Sequence, residues 1–168
     1  MTLDEINRVD RDAFVAKLGG VFEHSPWVAE AAWEKRPFAT ITALHTAMVD
    51  AVARATPQRQ LALLRAHPEL AGKAAMRGDV TASSRREQSG AGLTACSPAE
   101  YAKLQALNTR YNARFGFPFI LAVKGYDRAG IIATFEARLE HGVEQERAES
   151  LRQVARIAAL RLESLIDG

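Results

Sequence analysis

Residues 97–116, SPAEYAKLQALNTRYNARFG, decide the fold class. Ser97 and Glu100 have the spacing of a capping box, in which a serine side chain accepts from the backbone three residues on and the glutamate reaches back. Pro98 stands at the first helical position, where a missing N–H costs nothing. Tyr101, Leu104, Tyr111 and Phe115 recur at helical spacing, and Gly116 supplies the residue that most readily takes a left-handed stop. The stretch therefore predicts one helix with a start, a buried stripe and an end.

The same grammar recurs in both directions. Upstream, Thr2-Leu3-Asp4-Glu5 fits a second capping box, and Asp10 precedes Phe14, Leu18, Val21 and Phe22 at helical spacing. Ser25-Pro26 offers an N-cap and a first-turn proline for a helix carrying Trp27, Ala31 and Glu34. Thr40 opens a stripe of Ile41, Leu44, Met48 and Val52. Thr56-Pro57 opens a short helix through Leu61 and Leu64, which must stop near His67 because Pro68 disfavours the helical conformation before it. Downstream, Phe117 to Val123 is short, apolar and proline-containing, and reads as buried extended chain. Asp127 starts a helix reaching His141 and closed by Gly142. A last helix from about Val143 to Ile166 carries Leu151, Val154, Ile157, Ala158, Leu160 and Leu165. Strand alternation is nearly absent. The expectation is an all-α fold: a single-domain helical bundle of about seven to nine helices spanning residues 1–168.

Bulk properties set the outer limits. A chain of 168 residues is long enough to bury roughly 68–70% of its unfolded surface around one core. Its 22 basic and 20 acidic residues are interspersed, giving +2, unlike the one-sided basic surface of a nucleic-acid partner. Cys96 is the only cysteine, which excludes an internal disulfide and fits a reducing, cytoplasmic compartment. No run approaches the roughly 18–20 apolar residues that span a bilayer, so no membrane partner is expected. The start, with Asp4 and Glu5, lacks the apolar core of a secretory signal, and Leu165-Ile166-Asp167-Gly168 is not a peroxisomal address.

Chemistry concentrates in two places. His67 sits at the C-terminal end of a predicted helix, where the macrodipole favours a protonated imidazole, and Pro68 makes the corner rigid. Residues 72–92 contain Gly72, Gly78, Gly90 and Gly92 with little apolar periodicity, the signature of a functional loop region. Inside it, Ser84 and Glu87 have capping-box spacing, and a helix start there would offer free amides to an anion. Gln88 presents both a donor and an acceptor. Arg156 and Arg161 lie among apolar neighbours on the last helix, and an inward arginine needs a carboxylate partner, which a substrate can supply. His24, His45 and His141 show no comparable context, no histidine pair has i, i+4 metal spacing, and neither Ser84 nor Ser89 sits in a nucleophile elbow.

These segments together resemble one family. His67-Pro68-Glu69-Leu70-Ala71-Gly72, then Ser84 through Gln88 followed by Gly90-Ala91-Gly92-Leu93, then Arg114-Phe115-Gly116-Phe117-Pro118-Phe119 look like the three blocks of the 2-oxo-4-hydroxy-4-carboxy-5-ureidoimidazoline (OHCU) decarboxylases. Phe22-Glu23-His24-Ser25-Pro26-Trp27 and Arg156 through Leu162 also fit, in the right order along nearly the whole chain. The resemblance implies an all-helical, cytoplasmic homodimer that converts OHCU to S-allantoin and CO2 in urate breakdown, with no metal or organic cofactor. It implies His67 as the catalytic histidine and Glu87 as the acid paired with it. It also implies that substrate is bound by Pro68, by Ser84, Arg85, Arg86, Glu87 and Gln88, and by Phe119, Ile120, Leu121, Ala122 and Val123. The family's carboxylate-binding arginine falls at Arg161, with Arg156 as the alternative. Two other readings stay open: a hydrolase or lyase for another ureido compound on the same scaffold, and a helical interaction module without catalysis.

Overall fold

Side-chain caps set most helix starts in the computed structural model, which describes residues 1–167; Gly168, the last residue of the terminal quartet read above, lies outside them. Among the described residues ten α-helices follow one another: α1 (Leu3–Arg8), α2 (Arg11–Leu18), α3 (Trp27–Trp33), α4 (Ile41–Ala53), α5 (Pro57–Ala66), α6 (Lys73–Arg77), α7 (Ala82–Gly90), α8 (Pro98–Phe115), α9 (Arg128–Leu139) and α10 (Val143–Leu165), with one 3-10 turn at Leu93–Ala95. The fold is all-α, and among the described residues the one strand-like feature is an isolated bridge between Thr2 and Asp167. The count exceeds the expected seven to nine because of α6, only five residues long, inside the stretch that lacks apolar periodicity.

The chain's contacts gather into two compact units. One comprises Met1–Ala66 and the chain from Val154 onward; the other is His67–Gln153. In the first unit α3 packs on both α2 and α4. The predicted caps form: Thr2 and Glu5 make the reciprocal box on α1, Asp10 accepts the Ala13 N–H at 2.8 Å, and Thr40 accepts the Ala43 N–H at 3.0 Å. Ile6, Phe14, Val28, Leu44 and Met48 are fully buried beneath them. Two boundaries differ from the sequence reading. Helix α2 ends at Leu18, so Val21 and Phe22 are buried from irregular chain rather than from a helix face. Ser25 does not cap α3; the N-cap is Pro26 without a side-chain bond, and the buried Ser25 hydroxyl turns back to donate to the Glu23 carbonyl at 2.9 Å. A serine enclosed by its own turn has a nearer acceptor than the helix start.

In the second unit α8 packs on α9, and Tyr111 stands at the centre of an aromatic cluster. Its ring centroid lies 4.6 Å from that of Phe115, 5.9 Å from Phe117, 5.5 Å from Phe119 and 5.7 Å from Phe135. Each such buried ring removes enough apolar surface from water to contribute about 1.5–3 kcal/mol. Helix α8 begins and ends as its sequence predicts: Ser97 and Glu100 form the box, and Gly116 closes the helix at φ 77°. Phe117 to Val123 is wholly buried and takes no helix or strand assignment, as expected of an apolar run this short.

The Ser97 backbone N–H, and then Arg128 at 3.0 Å, hold the Glu100 carboxyl below the usual carboxylate range. A carboxyl depressed in the folded state stabilises fully above its unfolded value, and the contribution fades as pH falls through the depressed one. Ser97→Ala should lower stability by about 1 kcal/mol, as helix N-cap losses do. Thermal melting by circular dichroism at pH 7 checks this, and Glu100→Gln, which removes the depressed carboxyl itself, should melt lower than the parent at pH 7 and approach it in acid.

Candidate active site

The end of α5 delivers His67. Its imidazole is buried, 7% exposed, with Nε2 sealed from solvent, and Pro68 turns the chain directly after it. The corner continues through buried Leu70 to Ala71, whose φ of 50° is left-handed and strained for a residue with a Cβ. Buried backbone that is not in a helix must find partners elsewhere. Here three amide side chains provide them. Gln88 of α7 accepts the Ala71 N–H at 2.9 Å and donates to the Glu69 carbonyl at 3.3 Å. Asn108 of α8 donates to the Leu70 carbonyl at 2.9 Å, and Gln105 donates to that of Ala71 at 2.6 Å. A cavity of about 340 Å³ adjoins the corner, lined by Glu69, Gly72, Lys73, Ala74, Gln105 and Thr109.

Gln88 therefore brings α7 against the histidine corner, and Glu87 precedes it, half-buried. The start of α7 is a correction. Its N-cap is Thr81, which accepts the Ser84 N–H at 3.2 Å, so Ser84 lies inside the helix and is 3% exposed. A threonine three residues earlier has taken the role, and the anion cradle expected at Ser84 does not form. Arg85 is exposed and donates to the Gly78 carbonyl at 2.8 Å, while Arg86 is exposed beside Ser83. Phe119, Ile120, Leu121, Ala122 and Val123 belong to the same unit and are all buried. Among the described residues, no three of His, Cys, Asp or Glu are gathered closely enough to hold a metal ion.

Known proteins similar to this chain agree in what they are named. A profile described as OHCU decarboxylase matches residues 7–163. A 2-oxo-4-hydroxy-4-carboxy-5-ureidoimidazoline decarboxylase of Haloferax volcanii is 44% identical, over 96% of this chain and 94% of its own. The uric acid degradation bifunctional protein PucL of Bacillus subtilis is 41% identical over 98% of this chain, which spans 33% of that longer protein. A crystal structure of (S)-allantoin synthase superposes with a TM-score of 0.80 at 32% identity, covering 99% of this chain and 55% of that one.

The chain belongs to the OHCU decarboxylase family.

The remaining arginine of the family resemblance lies in the first unit. Arg161 is 5% exposed, and its Nη1 donates to Glu23 Oε2 at 2.7 Å, with the Gly20 and Val21 carbonyls at 3.4 Å. The carboxylate that an inward arginine requires is thus present within this family member's own chain. Glu23, 1% exposed, stood in a block read from the sequence without a role of its own. Arg156 is exposed on the same helix. Among the histidines, His45 Nε2 meets the Ala155 carbonyl at 2.7 Å, and His141 Nδ1 meets Glu146 at 2.9 Å, a pairing the sequence did not signal.

Sequence reading also missed Gln105 and Asn108. The available signal was Asn108 itself, a polar residue one helical step from the buried stripe at Leu104 and Tyr111. For the Glu23–Arg161 pair, removing one partner leaves an uncompensated buried charge. Glu23→Ala should destabilise the protein by about 3–5 kcal/mol. Urea unfolding of the variant against the parent measures it, with Glu23→Gln expected to lose less.

Proposed function

We propose that this protein decarboxylates OHCU to (S)-allantoin and CO2 in urate breakdown, and that His67 and Glu87 carry the reaction. The observation that carries the reading is the His67 corner: a buried imidazole on a strained turn, clamped by Gln88 from the helix that bears Glu87, in a chain that belongs to this family over almost its full length.

The chemistry asks for placement more than for power. The substrate carries a hydroxyl and a carboxylate on one ring carbon and a ureido group on the next, which is doubly bonded to nitrogen. When the carbon–carboxylate bond breaks, CO2 leaves and the electron pair moves into the ring toward that imine. The hydroxyl gives up its proton and becomes the carbonyl of allantoin, the ureido-bearing carbon gains one, and the former imine nitrogen, which receives the electron pair, takes up a proton from solvent. Atoms and charge balance without an external electron sink. The protein's task is to orient the ring, stabilise developing charge and deliver the proton to one face. In this reading His67 polarises the hydroxyl and carboxylate side and directs the proton. Glu87 orients the imidazole and hydrogen-bonds the ureido group. Pro68, Ser84 to Gln88 and Phe119 to Val123 shape the binding surface, with Gln88 acting through the corner that it holds.

Circular dichroism of a mixture that generates OHCU from urate tests this directly. Wild-type protein should give a single allantoin enantiomer far faster than the spontaneous, racemic decay. His67→Asn should lose about 10²- to 10⁴-fold in rate, the usual worth of general acid–base help. Glu87→Gln should lower the rate and blur product chirality. Racemic product at the spontaneous rate from wild type would sink the assignment. The same reading makes the protein a cytoplasmic homodimer. Family resemblance supports both, the single Cys96 fits the compartment, and sedimentation velocity at micromolar concentration tests the dimer. Among the described residues no helix is long and apolar enough to cross a membrane.

A further inference from the structure

Behind the Phe119–Val123 segment lies a group of buried polar side chains that the proposed chemistry does not use. Arg138 of α9 is 4% exposed and Glu146 of α10 is fully enclosed. Desolvating such a pair is expensive, and a well-packed apolar pair often serves stability as well. Here every nitrogen of the guanidinium is engaged. Nε donates to Glu146 Oε1 at 2.7 Å, Nη2 to the Ser150 hydroxyl at 3.1 Å, and Nη1 to the Ile120 carbonyl. Its carbon stands 4.5 Å from the centre of the Phe119 ring. Glu146 is fixed in turn by the Tyr111 hydroxyl at 2.6 Å and by His141. Burial, and then the Glu146 bond, push the Tyr111 hydroxyl well above the ordinary tyrosine range, which keeps it a donor.

A second side chain grips the segment two residues on. Gln153 of α10 accepts the Ala122 N–H with Oε1 at 3.0 Å, and its own Nε2 donates to Glu149 at 2.9 Å. Both grips fall on main-chain atoms, at residues 120 and 122. They determine where the backbone runs and leave the side chains of Leu121 and Val123 uninvolved. A core that needed only cohesion has no use for an arginine aimed at a carbonyl.

We propose that Arg138 and Gln153 are positioning residues for the decarboxylation, holding the backbone of Phe119–Val123 in the geometry that binds the substrate. The inference rests on the substrate-binding role given to that segment in the proposed function. A loosened segment binds ground state and transition state equally poorly, so KM should rise while kcat stays near its parent value.

Gln153→Met removes the acceptor while keeping the length of the side chain. It should raise KM for OHCU about three- to tenfold, the effect of losing one backbone hydrogen bond. The exchange Glu149→Gln with Gln153→Glu keeps an acceptor for the Ala122 N–H and reverses donor and acceptor only in the bond between residues 149 and 153, and should restore KM toward the parent. Arg138→Lys keeps the charge without the fork and should shift KM in the same direction as Gln153→Met. A purely structural role predicts something else: a lower melting temperature and a smaller active fraction, seen as reduced apparent kcat at unchanged KM. That pattern in Gln153→Met, with wild type active, overturns the proposal. Inactive wild type would instead strike at the proposed function, and is visible before any variant is made.

Discussion

The two bonds from the Gln88 side-chain amide to the backbone of Glu69 and Ala71 are the contacts on which the proposed site depends. Helices satisfy their own N–H and C=O groups, but the corner from His67 to Gly72 satisfies few of its own, and His67 and Leu70 to Gly72 within it are buried. Without Gln88, Gln105 and Asn108, the Leu70 and Ala71 carbonyls and the Ala71 N–H would lose these partners and the Glu69 carbonyl would keep only the Gly72 N–H at 3.4 Å, and each group left bare costs about 1–3 kcal/mol in desolvation. The same clamp holds Ala71 in a left-handed conformation that it would otherwise leave. A strained turn persists when its surroundings over-determine it, and three side chains on one turn do so.

This solution is repeated elsewhere in the chain. The irregular stretch after α2 is held by Arg161, which reaches the Gly20 and Val21 carbonyls and the Glu23 carboxylate. The apolar run after α8 is held by Arg138 and Gln153. In each case a long polar side chain on a helix satisfies the backbone of buried, non-helical chain. An all-α protein meets few sheet ladders, so wherever its chain leaves a helix without reaching water, this is the economical way to satisfy it. The stretches so treated are also those in which the family resemblance places its blocks.

That arrangement explains which features a reader of the sequence meets and which stay hidden. Helix starts are written locally: Ser97 with Glu100, Thr2 with Glu5, and Asp10, Thr40 and Asp127 all cap as their spacing predicts. The failures are local competitions and long-range contacts. Ser84 has the right partner at the right distance, yet Thr81 caps first, because two candidate caps three residues apart look alike until the helix forms. Helix α6 has no buried residue and hence no periodicity to betray it. The clamps join residues 17 to 38 positions apart, and no pattern in the intervening sequence encodes them. His67 was recognisable from the helix end and the proline that follow from its neighbours, whereas Gln105 and Asn108, which hold its corner, were not.

The division of labour fits the demands of the reaction. A decarboxylation whose electron pair is accepted by the substrate's own imine does not need a strong acid or a nucleophile. It needs a ring held in one orientation while a proton reaches one face. Precision of that kind comes from groups that cannot move, and a side chain is only as fixed as the backbone beneath it. His67 gains its fixity from a helix end, a proline and a clamped, strained turn, all within six residues. Buried amides and ion pairs are a costly way to make a core cohere, but a direct way to give irregular backbone a single position. Their concentration around the corner and the apolar run is what a catalyst working by orientation requires.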